Sequence, residues 1–147
     1  MPIKSFRGLI ADDGMEVISL HTNTGSTGYK VKKFELIPNN PGTETPESVV
    51  KIYKIPQTVA TSIIDFSDNT MLAAAYYSGE NTPNYPQDVV VIFDNEIFNQ
   101  DIYITHKNDS EQKPMNYYIE LEMIKLDLNE NTVATLKDIR NIESGSI

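Results

Sequence analysis

The sequence predicts an all-β domain, an antiparallel β-sandwich of jelly-roll type with about nine strands. Three observations carry that expectation. Apolar and polar residues alternate at period two through most segments, as half-buried strands require. Pro, Asn, Gly, Ser and Asp clusters punctuate those segments with turn chemistry. Helical spacing is confined to one segment near the C-terminus.

From the N-terminus the candidate strands are IKSFRGLI, MEVISLHT, GYKVKKFELIP, SVVKIYKI, TSIIDF, TMLAAAYY, DVVVIF, DIYITHK and NYYIELEM. In GYKVKKFELIP the apolar positions run Tyr29 and Val31, then Phe34 and Leu36. A one-residue slip of this kind marks a β-bulge, which turns every later side chain to the opposite face. NYYIELEM places Tyr117, Ile119, Leu121 and Met123 on one face, with Tyr118, Glu120 and Glu122 on the other. Its alternation then shifts to Ile124, Leu126 and Leu128. That shift predicts either a second bulge or a crossing between sheets. MLAAAYY contains good helix formers. It is short, however, and ends in Tyr76 and Tyr77, which favours a strand.

Long connections fall at PNNPGTETPES (38–48), SGENTPNYPQD (78–88) and KNDSEQKP (107–114). Each exceeds what a tight hairpin needs, and long loops on a rigid scaffold are where contacts gather. NTVATLKDIR has Val133, Leu136 and Ile139 at steps of three, with Thr132 as an N-cap. A short C-terminal helix or an irregular closing segment both fit. One sandwich domain is expected over residues 1–143, with 144–147 as a flexible C-terminal tail.

The totals narrow the function classes. A chain of 147 residues fits one domain. At that size roughly 70% of the unfolded surface can be buried, so no disulfide or metal is needed for stability. With 0 Cys, thiolate metal sites and cysteine nucleophiles are excluded. No run reaches the ~20 apolar residues of a membrane span, and MPIKSFRGLI lacks the apolar core of a secretory signal. Twelve Lys and Arg against 21 Asp and Glu give a net charge of −9, an unfavourable balance for binding nucleic acid. The one dense basic run, KVKK (30–33), reads as a solvated strand face.

His21 and His106 lie at strand ends, and no G-x-S-x-G elbow accompanies them, so a serine triad is disfavoured. The same two histidines, without Cys, make a poor zinc set. DLNENTVATLKD (127–138) begins like a calcium loop, with Asp127, Asn129 and Asn131 at its first, third and fifth positions. The match then fails: Thr132 stands where glycine is needed, and Asp138 replaces the bidentate Glu. Glu120 and Glu122 share a strand face, as paired glycosidase acids would, but alternate acids are ordinary on a solvent face. VIFDNEIFNQDIYITH (91–106) concentrates Asp94, Glu96 and Asp101. It reads as two strands joined by DNEIFNQ, with Ile97 and Phe98 tucked beneath the connection. No catalytic, cofactor or metal residue is assigned. The tyrosine pairs Tyr76–Tyr77 and Tyr117–Tyr118 each send one ring to each face. Together with Tyr85, these are the candidate interface residues.

KSFRG, LHTNTGSTGYK, VVKIYK, FSDNTMLAAAYY, VIFDNEIFNQDIYITH, NYYIELE and IKLDLNENTVATLKDIR together resemble small structural proteins of marine tailed bacteriophages. The resemblance runs from about Lys4 to Glu143 and rests on the texture of the sequence, with no mechanistic motif. It implies a non-enzymatic virion component, made in the host cytoplasm, on the capsid surface. A capsid decoration (cement) protein is the expected role, as a homotrimer contacting the major capsid protein and sister subunits. Alternatives are a tail or neck component, or a carbohydrate- or receptor-binding sandwich module using loops such as SGENTPNYPQD with Tyr85.

Overall fold

The structure, a computed structural model, describes residues 2–40, 47–78, 88–109 and 112–126. Through them run eight strands: β1 (Ile3–Ile10), β2 (Met15–Ile18), β3 (Thr27–Pro38), β4 (Glu47–Tyr53), β5 (Met71–Ser78), β6 (Asp88–Phe93), β7 (Ile102–Asn108) and β8 (Met115–Lys125). All ladders are antiparallel. One sheet has the order β1-β8-β3 and the other β2-β7-β4-β5-β6. The two sheets pack as the predicted β-sandwich. The first and last of these strands pair, β1 with β8, then β2 with β7, while β4 pairs with β5 inside them. This nesting is the jelly-roll pattern. Its remaining pair is open: β6 ladders onto β5, and a cleft of about 390 Å3 lies between β6 and β3.

Alternation decides which side chains form the core. Met115, Tyr117, Ile119 and Leu121 of β8 face inward beside Val31, Phe34 and Leu36 of β3. Val50, Ile52, Ala73, Ala75, Ile102 and Ile104 meet them from the five-stranded sheet. The expected bulge is present in β3, where the register against β8 shifts between Val31 and Lys33. It keeps both Val31, opposite Leu121, and Phe34, opposite Ile119, on the core side.

Two expectations need correction. β8 has no bulge: its pairing with β3 runs in unbroken register from Val31↔Leu121 to Thr27↔Lys125. The phase change beyond Met123 has another cause. A Cβ on Gly28, opposite Ile124, would lie 3.0 Å from Ile97 and Leu126. Apolar side chains therefore gather on that side as well. TSIIDF is not a strand, which leaves eight strands among the described residues. There the Asp65 carboxylate accepts the Ser67 N–H and O–H, and the Asp68 carboxylate accepts the same pair from Thr70. Side chains that capture nearby backbone donors compete with a ladder and form turns instead. The segment 127–147, with the expected C-terminal helix and calcium-like loop, lies outside the described residues.

The outer face of the five-stranded sheet is partly covered. Lys51, Tyr53, Met71 and Ala74 point away from the core yet are buried. The β4–β5 connection folds back over them and is closed at its base by Lys54 N–H donating to Thr70 C=O at 2.7 Å. Lys51, only 2% exposed, donates from Nζ to Thr61 Oγ1 at 3.0 Å and to the Ile63 carbonyl at 2.6 Å. Its ammonium also sits 5.5 Å from the Tyr53 ring centre. Burial lowers the Lys51 pKa, and the nearby Asp68 charge partly opposes that shift.

Candidate functional site

The two histidines sit in different settings: His106 is buried, and His21 is exposed beside Asp101. His106 is fully buried near the end of β7. Its Nδ1 lies 3.1 and 3.0 Å from the carbonyl oxygens of Ile10 and Ala11, so Nδ1 carries the proton and donates to both. Nε2 then accepts from the Ser48 hydroxyl at 3.0 Å. Burial pushes the ring's pKa down, against the carbonyls and the charges of Asp12 and Asp13. The next residues of β7 hold the same β1–β2 turn. Lys107 Nζ reaches Asp13 Oδ1 at 2.8 Å, and the Asn108 N–H donates to Asp12 Oδ1 at 2.7 Å. The turn itself is closed by Gly14 N–H donating to Ala11 C=O, with Asp13 at φ 60°. His106 thus locks the corner at which the chain passes from one sheet to the other.

The acids of 91–106 separate. Asp101 Oδ1 accepts from the backbone N–H groups of Leu20 and His21 and from His21 Nδ1, at 2.8, 3.0 and 2.7 Å. Burial alone would raise the Asp101 carboxyl, but these hydrogen bonds and the His21 charge bring it below its usual value. The partner was invisible in the sequence because it lies 80 residues away. Glu96 pairs with the buried Lys54 at 2.7 Å. Phe98 is buried as expected and stacks on Tyr29 at 6.1 Å, while Ile97 stays 42% exposed. Glu120 accepts the Tyr118 hydroxyl at 2.8 Å, and Glu122 faces Lys32 at 3.4 Å. Among the described residues no group of three His, Cys, Asp or Glu is placed to hold a metal ion.

The tyrosines divide by strand face. Tyr77 and Tyr117 enter the core; Tyr76 and Tyr118 stay half-buried on the outer faces. The Tyr117 hydroxyl donates to Glu16 Oε2 at 2.5 Å, joining the two sheets, and its ring tip lies over Gly8. Burial first, then the bond to Glu16 and its charge, raise the Tyr117 pKa well above the usual phenol value. Tyr85 lies outside the described residues.

Among the exposed apolar side chains, two groups lie on opposite sides of the sandwich. On the three-stranded sheet, Leu9 and Ile37 flank Tyr118 along a shallow groove of about 680 Å3 that Arg7, Lys33 and Glu35 also line. On the other side the β4–β5 connection raises a crest of Val59, Ile63, Ile64 and Phe66, of which Ile63 is 72% exposed. Beside the crest, Phe66, Met71 and Ile92 wall a hollow of about 330 Å3 with Asp68, Asp94 and Glu96. Reading TSIIDF as a strand missed this crest. The signal was present as two successive D-x-[ST] steps, Asp65–Ser67 and Asp68–Thr70.

Against known protein families and curated proteins, the chain matches none.

Proposed function

We propose that the chain is a non-enzymatic structural protein of a virion, a cement protein that binds the major capsid protein and stabilises the shell. The observation that carries this reading is the pair of exposed apolar clusters on opposite faces of one rigid sandwich. A cement protein must grip two neighbours at once, and large exposed apolar patches rimmed by polar residues mark protein contacts. One face, around Tyr118, Leu9 and Ile37, suits sister subunits of a homotrimer. The crest around Phe66 suits the shell. Each contact can be weak alone, because a subunit held at two points gains effective concentration at the second. The sequence resemblance to marine phage structural proteins points the same way.

Cryo-electron microscopy of the particle tests the proposal. Density matching the sandwich in hundreds of copies on the shell is the expected result. A few copies at the neck or tail would move the protein to that part of the particle, and no shell density would end the cement reading. Light scattering on the purified chain adds the oligomeric state, with a trimer expected. Phe66→Lys and Leu9→Lys, both at exposed positions, should leave the fold intact and each abolish retention on the shell.

A further inference from the structure

The hollow beside β6 stands apart from the rest of the surface in two respects. Phe66, Met71 and Ile92 supply its apolar wall. Met71 sits in a small buried cluster with Tyr53 and Ala74, while Phe66 follows Asp65, whose carboxylate fixes the turn. The charged side chains that line it are Asp68, Asp94 and Glu96; Glu96 is paired with Lys54 at 2.7 Å, and Asp68 lies within electrostatic reach of Lys51. Asp68 is oriented by its bonds to Thr70, and Glu96 by the buried Lys54. Asp94, whose backbone N–H donates to Leu72 C=O, is exposed at the rim.

Among the described residues, the adjoining edge is apolar over most of its length. Natural sheets protect free edges with charges, bulges or short strands. β1 carries Lys4 and Arg7, β2 has only 4 residues, and β3 has its bulge amid Lys30, Lys32 and Lys33. β6 carries one charge, Asp88 at its start, and it leaves Val90 and Ile92 nearly half exposed on the outer side.

From these observations we infer that the hollow between Phe66 and Ile92 receives one large apolar side chain of a partner protein, flanked in the partner's sequence by lysine or arginine. The apolar side chain enters between Phe66, Met71 and Ile92. The flanking cations meet Asp94 and Asp68 at the rim. Charge complementarity favours such a partner, because Asp68 and Asp94 line the hollow and the chain as a whole carries a net charge of −9. The inference rests on the shell-binding reading only for the identity of the partner, and deepens it by naming the chemistry the shell must present.

The test is an NMR titration of the 15N-labelled full chain with three capped peptides. One has a central leucine between lysines, one replaces leucine by alanine, and one replaces the lysines by glutamates. The lysine–leucine peptide should move the amides of Phe66, Asn69, Ile92 and Asp94 saturably, and at least tenfold more weakly in high salt. Ile92→Lys, an exposed change, should remove the response while leaving the rest of the spectrum in place. Three results would overturn the inference: no shift at these amides, equal shifts with the glutamate peptide, or concentration-dependent shifts there without peptide, which would assign the hollow to a second copy. Peptide binding by a chain absent from the shell would remove the virion reading and leave the hollow's chemistry standing. A chain present on the shell whose hollow ignores the peptide would do the reverse.

Discussion

Replacing His106 by leucine should destabilise the fold strongly, although the side chain makes no contact with any surface. The ring is fully buried and connects three groups: the Ile10 and Ala11 carbonyls through Nδ1 and the Ser48 hydroxyl through Nε2. Leucine fills much of the space and replaces none of the hydrogen bonds. The Ala11 carbonyl keeps the Gly14 N–H at 2.9 Å, so the Ser48 hydroxyl and the Ile10 carbonyl suffer most. Each buried group left without a partner costs about 1–3 kcal/mol, giving roughly 2–6 kcal/mol for the two. For a domain of this length that is about 3 °C per kcal/mol, a fall in Tm of roughly 6–18 °C. Thermal and urea unfolding of His106→Leu, Ser48→Ala and the double variant would measure it. Removing the hydroxyl as well removes the orphan, so the double variant should lose about 1 kcal/mol less than the sum of the singles. A loss below about 0.5 kcal/mol for His106→Leu, or strict additivity, would refute the assignment of His106 as the lock of the β1–β2 corner.

The remaining predictions follow from the same geometry. His106 titrates below its ordinary value when folded, so below about pH 6.5 the unfolded chain binds more protons. Its contribution is complete above that pH and is lost as the pH falls toward the folded value. Wild type should therefore lose stability more steeply than His106→Gln between pH 7 and 5, and parallel urea titrations would contradict this. Gly8→Ala places a Cβ 2.8 Å from the Tyr117 hydroxyl and should cost about 1–3 kcal/mol by urea unfolding. The cost should shrink in a Tyr117→Phe background, where the oxygen is gone; an unchanged cost would mean the ring is not what the new methyl meets. Lys51→Met keeps the stem and removes the ammonium that ties Thr61 and Ile63. Relief from desolvation offsets the lost hydrogen bonds, so global stability should shift by less than about 1.5 kcal/mol. Chymotryptic cleavage at Phe66 should quicken several-fold, and an unchanged rate would show that the crest is held by other contacts.

Local pattern was enough for the architecture. Period-two alternation in GYKVKKFELIP and NYYIELEM located the two longest strands and the face each buries, and the slip at Lys32 located the bulge. These features are readable because a strand's side chains alternate by covalent geometry, whatever the strand later pairs with. The same rule failed where the surroundings changed what a face touches. Lys51 is charged and on the outer side of β4, yet it is buried because the chain returns over it. Ile63 and Phe66 look like strand residues and end on an exposed crest, because two aspartates hold that segment in turns.

Neither histidine's role was legible, for a related reason. His106 meets Ile10 and Ala11 across 96 and 95 positions of sequence, and His21 meets Asp101 across 80. Hydrogen bonds of that span form only once β1 has paired with β8 and β2 with β7. The sequence by itself determined an all-β sandwich, its bulge, its acidity and the inward or outward sense of each long strand. The tertiary structure alone decided which polar groups are buried and satisfied and which apolar ones are left exposed on opposite faces. Alternation is a property of one strand, whereas burial is a property of everything packed around it.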